Sequence, residues 1–151
     1  MKTIWITVVL SLGLLLPCLS SSDSVVVFNE IMYHPAELEA PEWIELHNQM
    51  SVDIDLSRWR LDGGVSFAFP EGTIISGGGY LVVASDQSVR EGALGPWDGS
   101  LSNGGERLKL LSASGRLMNE VRYNDRGDWP VAPDGSGVSL ALIHRDTTPV
   151  D

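Results

Sequence analysis

Three glutamates near the start of the chain, Glu30, Glu42 and Glu45, are the residues whose type suits acid–base work. Glycoside hydrolysis uses two carboxyl groups held at a set separation across a cleft, one as acid and the other as nucleophile or base. Glu42 and Glu45 lie three residues apart in Glu42-Trp43-Ile44-Glu45-Leu46-His47-Asn48, a segment that alternates apolar and polar residues. Two-residue periodicity puts them on opposite faces of a strand, so spacing alone does not pair them. Carboxylates on a solvated sheet face, or Glu30 bonded to nearby backbone, are the ordinary alternative. No Gly-x-Ser-x-Gly elbow, His-Glu-x-x-His helix or Gly-x-x-x-x-Gly-Lys-Ser/Thr loop occurs anywhere in the chain,.

Metal chemistry has two sets of donors. The histidines are His34, His47 and His144, scattered and without cysteine beside them. A zinc site needs about four convergent nitrogen or sulfur donors, so these read as surface or hydrogen-bonding histidines. Asp53, Asp55 and, after the next apolar run, Asp62 offer oxygen ligands to calcium, as does the turn Asn124-Asp125-Arg126-Gly127-Asp128. Neither fits the twelve-residue loop between two helices that binds calcium, and turn formation by itself explains Asp and Asn at such places.

Aromatic residues are the remaining candidates. Trp43, Trp59, Tyr80 and Trp129 together would make a stacking platform for sugars, but sandwich cores use the same residues. Trp43 and Trp59 sit within alternating strands, so Trp43, Trp59 and Tyr80 are assigned to the core. Trp97, beside Gly95-Pro96, and Trp129, beside Pro130, fall in loops and are the binding-loop candidates.

The elements that must position these residues are short. From Asp23 onward no apolar stripe follows the 3.6-residue helical period,. Apolar runs recur instead at 24–32, 43–48, 59–62, 67–69, 80–84, 108–112 and 117–123. Between them stand Asp62-Gly63-Gly64, Pro70-Glu71-Gly72, Gly77-Gly78-Gly79, Asn103-Gly104-Gly105 and Ser114-Gly115, where Gly and Asn supply the positive φ of tight turns,. Seven strands at this spacing predict an all-β sandwich. Residues 85–103 form the one long irregular stretch, expected to cross between sheets. No fixed-period repeat points to a propeller or solenoid.

The first 22 residues are read apart from the fold. Lys2 gives a positive start, residues 4–16 an uncharged apolar run, and Pro17-Cys18-Leu19-Ser20-Ser21-Ser22 a helix-breaking end rich in small residues. This is the pattern of a helical signal peptide cut between Ser20 and Asp23. The run is shorter than a confident membrane span, and no second one follows. Acylation of Cys18 would call for a small residue before it, where Pro17 stands, so a lipoprotein is the minor alternative. Cys18 is the only cysteine, so the processed domain, residues 23–146, is expected to hold together without disulfides. Residues 147–151 read as a linker or a truncated end. The net charge is −10, with the basic residues scattered, which speaks against nucleic acid as a partner.

Taken in order, several blocks resemble the lamin tail domain, an immunoglobulin-like sandwich found in nuclear lamins and in many exported bacterial proteins. They are Val27-Phe28-Asn29-Glu30-Ile31-Met32, the Glu42–Asn48 segment, Asp55-Leu56-Ser57-Arg58-Trp59-Arg60-Leu61, Phe69-Pro70-Glu71-Gly72-Thr73 and Gly77-Gly78-Gly79-Tyr80-Leu81-Val82-Val83-Ala84. Leu101-Ser102-Asn103-Gly104-Gly105-Glu106-Arg107-Leu108-Lys109-Leu110 and Gly135-Ser136-Gly137-Val138-Ser139-Leu140 complete the series. The chain departs from the bacterial pattern in lacking a further Trp-containing strand after the last block, and it has neither a coiled-coil rod nor a nuclear import signal. The resemblance implies a non-catalytic exported accessory module, of the kind joined to enzymes in longer secreted proteins, and thus a piece of a larger polypeptide. Binding of a protein or cell-surface polymer is the expected function, with no cofactor. A carbohydrate-binding module is the second expectation, and a small hydrolase using Glu30 or Glu45 the third.

Overall fold

The structure, a computed structural model, describes residues 25–37, 39–124 and 137–141. Residues 1–24 with Cys18, the oxygen-rich residues 125–128, Trp129, His144 and the C-terminal end lie outside the described residues.

Among the described residues eleven strands follow in order: β1 (Val26–Met32), β2 (Trp43–Asn48), β3 (Ile54–Asp55), β4 (Arg60–Asp62), β5 (Val65–Ala68), β6 (Ile74–Ile75), β7 (Tyr80–Ala84), β8 (Asp98–Gly99), β9 (Gly105–Leu111), β10 (Leu117–Asn124) and β11 (Leu140–Ala141). A 3-10 turn, Gln87–Val89, interrupts the run between β7 and β8. The strands form a four-stranded sheet in the order β11-β1-β2-β7, a five-stranded sheet β10-β9-β4-β5-β8, and the small pair β3-β6. All strand pairs are antiparallel. The fold is the expected all-β, immunoglobulin-like sandwich. Residues 85–103 do pass from the four-stranded sheet at β7 to the five-stranded sheet at β8.

Alternation decides what each strand gives the core. On β2, Ile44, Leu46 and Asn48 are buried while Trp43, Glu45 and His47 are half-buried on the other face,. The neighbouring β1 supplies Phe28 and Ile31, and β9 of the other sheet supplies Leu108 and Leu110. Tyr33 and Tyr123 stack inside with ring centroids 4.8 Å apart, joining the end of β1 to β10,. A bulge between Phe28 and Glu30 breaks the β1–β2 register. The Phe28 amide there donates to Asn119 Oδ1 on β10 at 3.1 Å, so a buried donor is satisfied from the facing sheet,.

The aromatic assignments divide. Trp59 is buried, 9% exposed, in the core. Trp43 is not a core residue, because Ile44 and Leu46 occupy the inner face of β2 and alternation sends Trp43 outward. Tyr80 is 54% exposed, standing opposite His47 on the same outer face. Trp97, the loop candidate, is 6% exposed and belongs to the core cluster. Its flanking Gly95-Pro96, joined by a cis peptide, was a poor guide. The 85–103 stretch folds back rather than projecting: Leu94 pairs with β7 through its amide to Val82 O and its carbonyl to the Ala84 amide, both at 2.9 Å.

Candidate functional site

Two surfaces stand out. The first is an open cleft of about 390 Å³ at the end of the sandwich where residues 35–41 connect β1 to β2. Glu37, Glu39, Glu42 and Asp86 all line it, and among the described residues no lysine or arginine does. Local backbone bonds shape its walls. Ala40 donates to Glu37 O at 3.0 Å, and Ser85 ties to Glu42 twice, its hydroxyl accepting from the Glu42 amide and its amide donating to the Glu42 carbonyl. Asp86 caps the 3-10 turn by accepting from the Ser88 amide at 2.8 Å, and this bond holds its carboxyl below the usual range,.

Glu42 borders the cleft and also binds inward. Its Oε2 accepts from the Leu101 amide at 2.9 Å. Half-burial pushes its carboxyl above the ordinary value, the Leu101 amide opposes that, and the charge of Glu106 adds to it,. Glu106, a residue the sequence did not single out, accepts from the Ser102 amide at 3.3 Å and from the Tyr123 hydroxyl at 3.1 Å. Tyr123 can also donate to Ser102 O at 2.9 Å. Burial first, then Glu106, drives the Tyr123 phenol far above its usual range, so it keeps its proton and can donate,. This cluster fastens the loop before β9 to the floor of the cleft. Gly64 lies against it: a side chain there would run into the Glu106 carboxylate.

The second surface is the outer face of the four-stranded sheet. Glu30 and Glu45 stand directly opposite each other on β1 and β2, a costly arrangement for like charges unless each has a donor. Each has one. Ser139 donates to Glu30 Oε1. Asn29, carried outward by the bulge, donates to Glu45 Oε1 at 2.9 Å, and Arg90 reaches Glu45 Oε2 at 3.4 Å. His47 and Tyr80 stack beside them, centroids 4.4 Å apart and planes at 11°. A smaller cleft of about 170 Å³ opens among Trp43, Val82, Val89 and Arg90.

The three glutamates therefore do not converge. Glu42 serves the loop end, and Glu30 and Glu45 are acceptors within the sheet-face network. The calcium candidates are dispersed in the same way: Asp53 accepts from the Gly77 amide at 2.9 Å, Asp55 from the Ser57 amide at 2.8 Å, and Asp62 pairs with Lys109 at 3.7 Å. Bonding to Ser57 also lowers the Asp55 carboxyl. Among the described residues, no group of three or more His, Cys, Asp or Glu side chains stands together to hold a metal ion. Nor, among them, is any helix long and apolar enough to cross a membrane. His34 lines the loop-end cleft, and His47 lies on the sheet face.

Sequence reasoning missed Glu106, Asn29 and Arg90. Asn29 had a readable signal, an extra polar residue in an otherwise alternating strand. Arg90 and Glu106 had none, because their partners are distant in sequence. Compared with known families, residues 20–125 match the family described as Lamin Tail Domain. No curated protein matches the chain.

Proposed function

The chain belongs to the lamin tail domain family, a family of non-enzymatic immunoglobulin-like domains, and from that premise we propose that it is a non-catalytic binding module of an exported protein. It meets a cation-bearing protein or cell-surface polymer at the loop end of the sandwich. The observation that carries this is the open, loop-built cleft lined by four acidic residues and, among the described residues, by no lysine or arginine. Loops at the end of a rigid sandwich vary their surface without disturbing the core. Export rests on the leader pattern, with cleavage between Ser20 and Asp23, and the module is a unit within a longer secreted polypeptide.

Catalysis is poorly served by these groups. A reaction needs a nucleophile or base held beside an orienting partner. Here the half-buried Glu42 accepts from a backbone amide, while Glu45 accepts from Asn29 and Arg90. The test uses the purified protein on glycosides, esters and phosphodiesters, together with polylysine as a cationic probe. No turnover is expected, and polylysine binding should weaken in Glu37→Gln/Glu39→Gln but not in Glu71→Gln, which lies away from the cleft. Turnover abolished by Glu42→Gln or Glu45→Gln, with the fold intact, would overturn the reading.

A carbohydrate-binding role is the second reading. The outward position of Trp43 and Tyr80 favours it.

A further inference from the structure

We propose that the outer face of the four-stranded sheet is a glycan site, in which a neutral oligosaccharide lies along β2. It stacks on Trp43 and Tyr80 and exchanges hydrogen bonds with Asn29, Glu45 and Arg90 between them. This deepens the carbohydrate reading and rests on it, while using a surface separate from the loop-end cleft.

Geometry places the parts in line. Trp43 and His47 are four residues apart on β2 and on one face, roughly 13 Å at the usual rise of a strand. Tyr80 stands opposite His47 in register and stacked on it. An aromatic surface therefore lies at each end of β2, with Glu45 midway. A sugar ring offers a flat C–H face and an edge of hydroxyls that both donate and accept. Flat aromatic surface with a carboxylate, an amide and a guanidinium beside it matches both parts.

Preorganisation favours the same conclusion. His47 stacks on the Tyr80 ring and fixes its plane, and Tyr80 stands on β7, the last strand in the order of its sheet. Tyr80 stays 54% exposed. A ring already fixed in place loses little further freedom when a ligand stacks on it. The network beside it is equally set. Glu45 is held by Asn29 and Arg90, and Arg90, following the 3-10 turn, also borders the small cleft next to Trp43. Arg90 is 58% exposed at its side chain, so its remaining donors face solvent and can reach hydroxyls,.

Charge selects among glycans. The chain carries −10 overall, which repels acidic polysaccharides at long range,. On the face itself Arg90 offsets Glu45. A neutral ligand fits that balance.

The test is calorimetry and tryptophan fluorescence on the purified protein with cellohexaose, laminarihexaose, maltohexaose and chitohexaose. Saturable binding of at least one is expected. Tyr80→Ala should weaken it roughly tenfold, as for a lost stacking partner, and Trp43→Ala should do the same. Tyr80 is exposed, so its variant keeps the fold and the test stands even where Trp43→Ala does not. Arg90→Met should also weaken binding, whereas Glu37→Gln/Glu39→Gln should leave it unchanged. Binding of none of the four probes would overturn the inference and leave the cationic-partner reading to its own polylysine test. Binding unaffected by Tyr80→Ala, or lost in the Glu37→Gln/Glu39→Gln variant, would overturn the placement.

Discussion

At the scale of single residues, Asn48 shows how much one buried polar side chain organises. It is fully buried at the end of β2. Its Nδ2 lies within hydrogen-bond reach of Val52 O, Ser76 O and Ile75 O at 2.7, 3.0 and 3.2 Å, and its Oδ1 accepts from the Met50 amide at 3.0 Å. Those groups belong to the loop before β3, to the last residue of β6 and to the residue that follows it. Removing the amide strands carbonyls and a donor away from water, and each such group costs about 1–3 kcal/mol. Asn48→Ala should therefore destabilise the domain by about 2–4 kcal/mol, measured by urea unfolding. A loss of a few tenths would mean that water replaces the side chain.

Glu42 makes a second residue-scale prediction. Its carboxyl sits above its ordinary value of 4.5 in the folded protein. In the window between the unfolded and the raised folded value, the native state holds more protons than the unfolded state. Stability therefore falls as pH rises through that window, and the burial penalty is absent below it. Glu42→Gln keeps an acceptor for the Leu101 amide and removes the titration. Its unfolding free energy should be flatter than the parent's just above pH 4.5. The capped Asp55 and Asp86 act in the opposite sense, losing their contribution as pH falls through their depressed values. An unchanged slope in Glu42→Gln would place the pH dependence on other groups.

Elements show what was legible in the chain and what was not. Among the long strands, β2, β9 and β10 were readable from alternation, and β1 and β7 as apolar runs bounded by polar or turn residues. β3, β6, β8 and β11 are two residues each, too short for a period of two to register. Faces were harder than strands. The pattern of β2 gives two sets of side chains without saying which is inside, and the large indole of Trp43 suggested the wrong one. Ile44 and Leu46 fill the interior instead. The buried place of Trp97 depended on how the whole 85–103 stretch folds back onto β7, which no local pattern encodes. Neither surface could be seen as a site, since Glu42–Leu101 and Glu45–Arg90 join residues far apart in sequence.

This exchange of inside and outside has a measurable consequence. Trp97→Ala should cost about 3–5 kcal/mol, the range for deleting a buried large aromatic. Among the described residues its indole nitrogen has no hydrogen-bond partner, so loss of packing dominates. Trp43→Ala, from a half-buried position, should cost about 1–2 kcal/mol. Paired chemical denaturation of the two variants checks the order. The reverse order would return Trp43 to the core. Gly105 tests the β9–β10 pair in the same way. Its φ is +96° and an added side chain would press on the backbone of Tyr123 and Asn124. Gly105→Ala should then destabilise by about 1–3 kcal/mol.

For the whole molecule, charge is the dominant unbalanced quantity. Twenty acidic residues face ten basic ones, and four of the acidic side chains gather around one cleft. The exposed ion pairs, such as Arg58–Glu71 and Arg107–Glu120, each contribute little at physiological salt. Long-range repulsion among the remaining carboxylates opposes the compact state more than the extended one. Added salt shortens the reach of that repulsion to about 8 Å near 0.15 M. The thermal midpoint should therefore rise as NaCl increases from low to moderate concentration. Glu37→Gln/Glu39→Gln, with two fewer charges at the cleft, should start higher at low salt and gain less. A scanning-calorimetry series on both proteins measures this. A midpoint that falls with salt would show that the ion pairs outweigh the repulsion, and would remove the electrostatic reason for a cationic partner at the loop end.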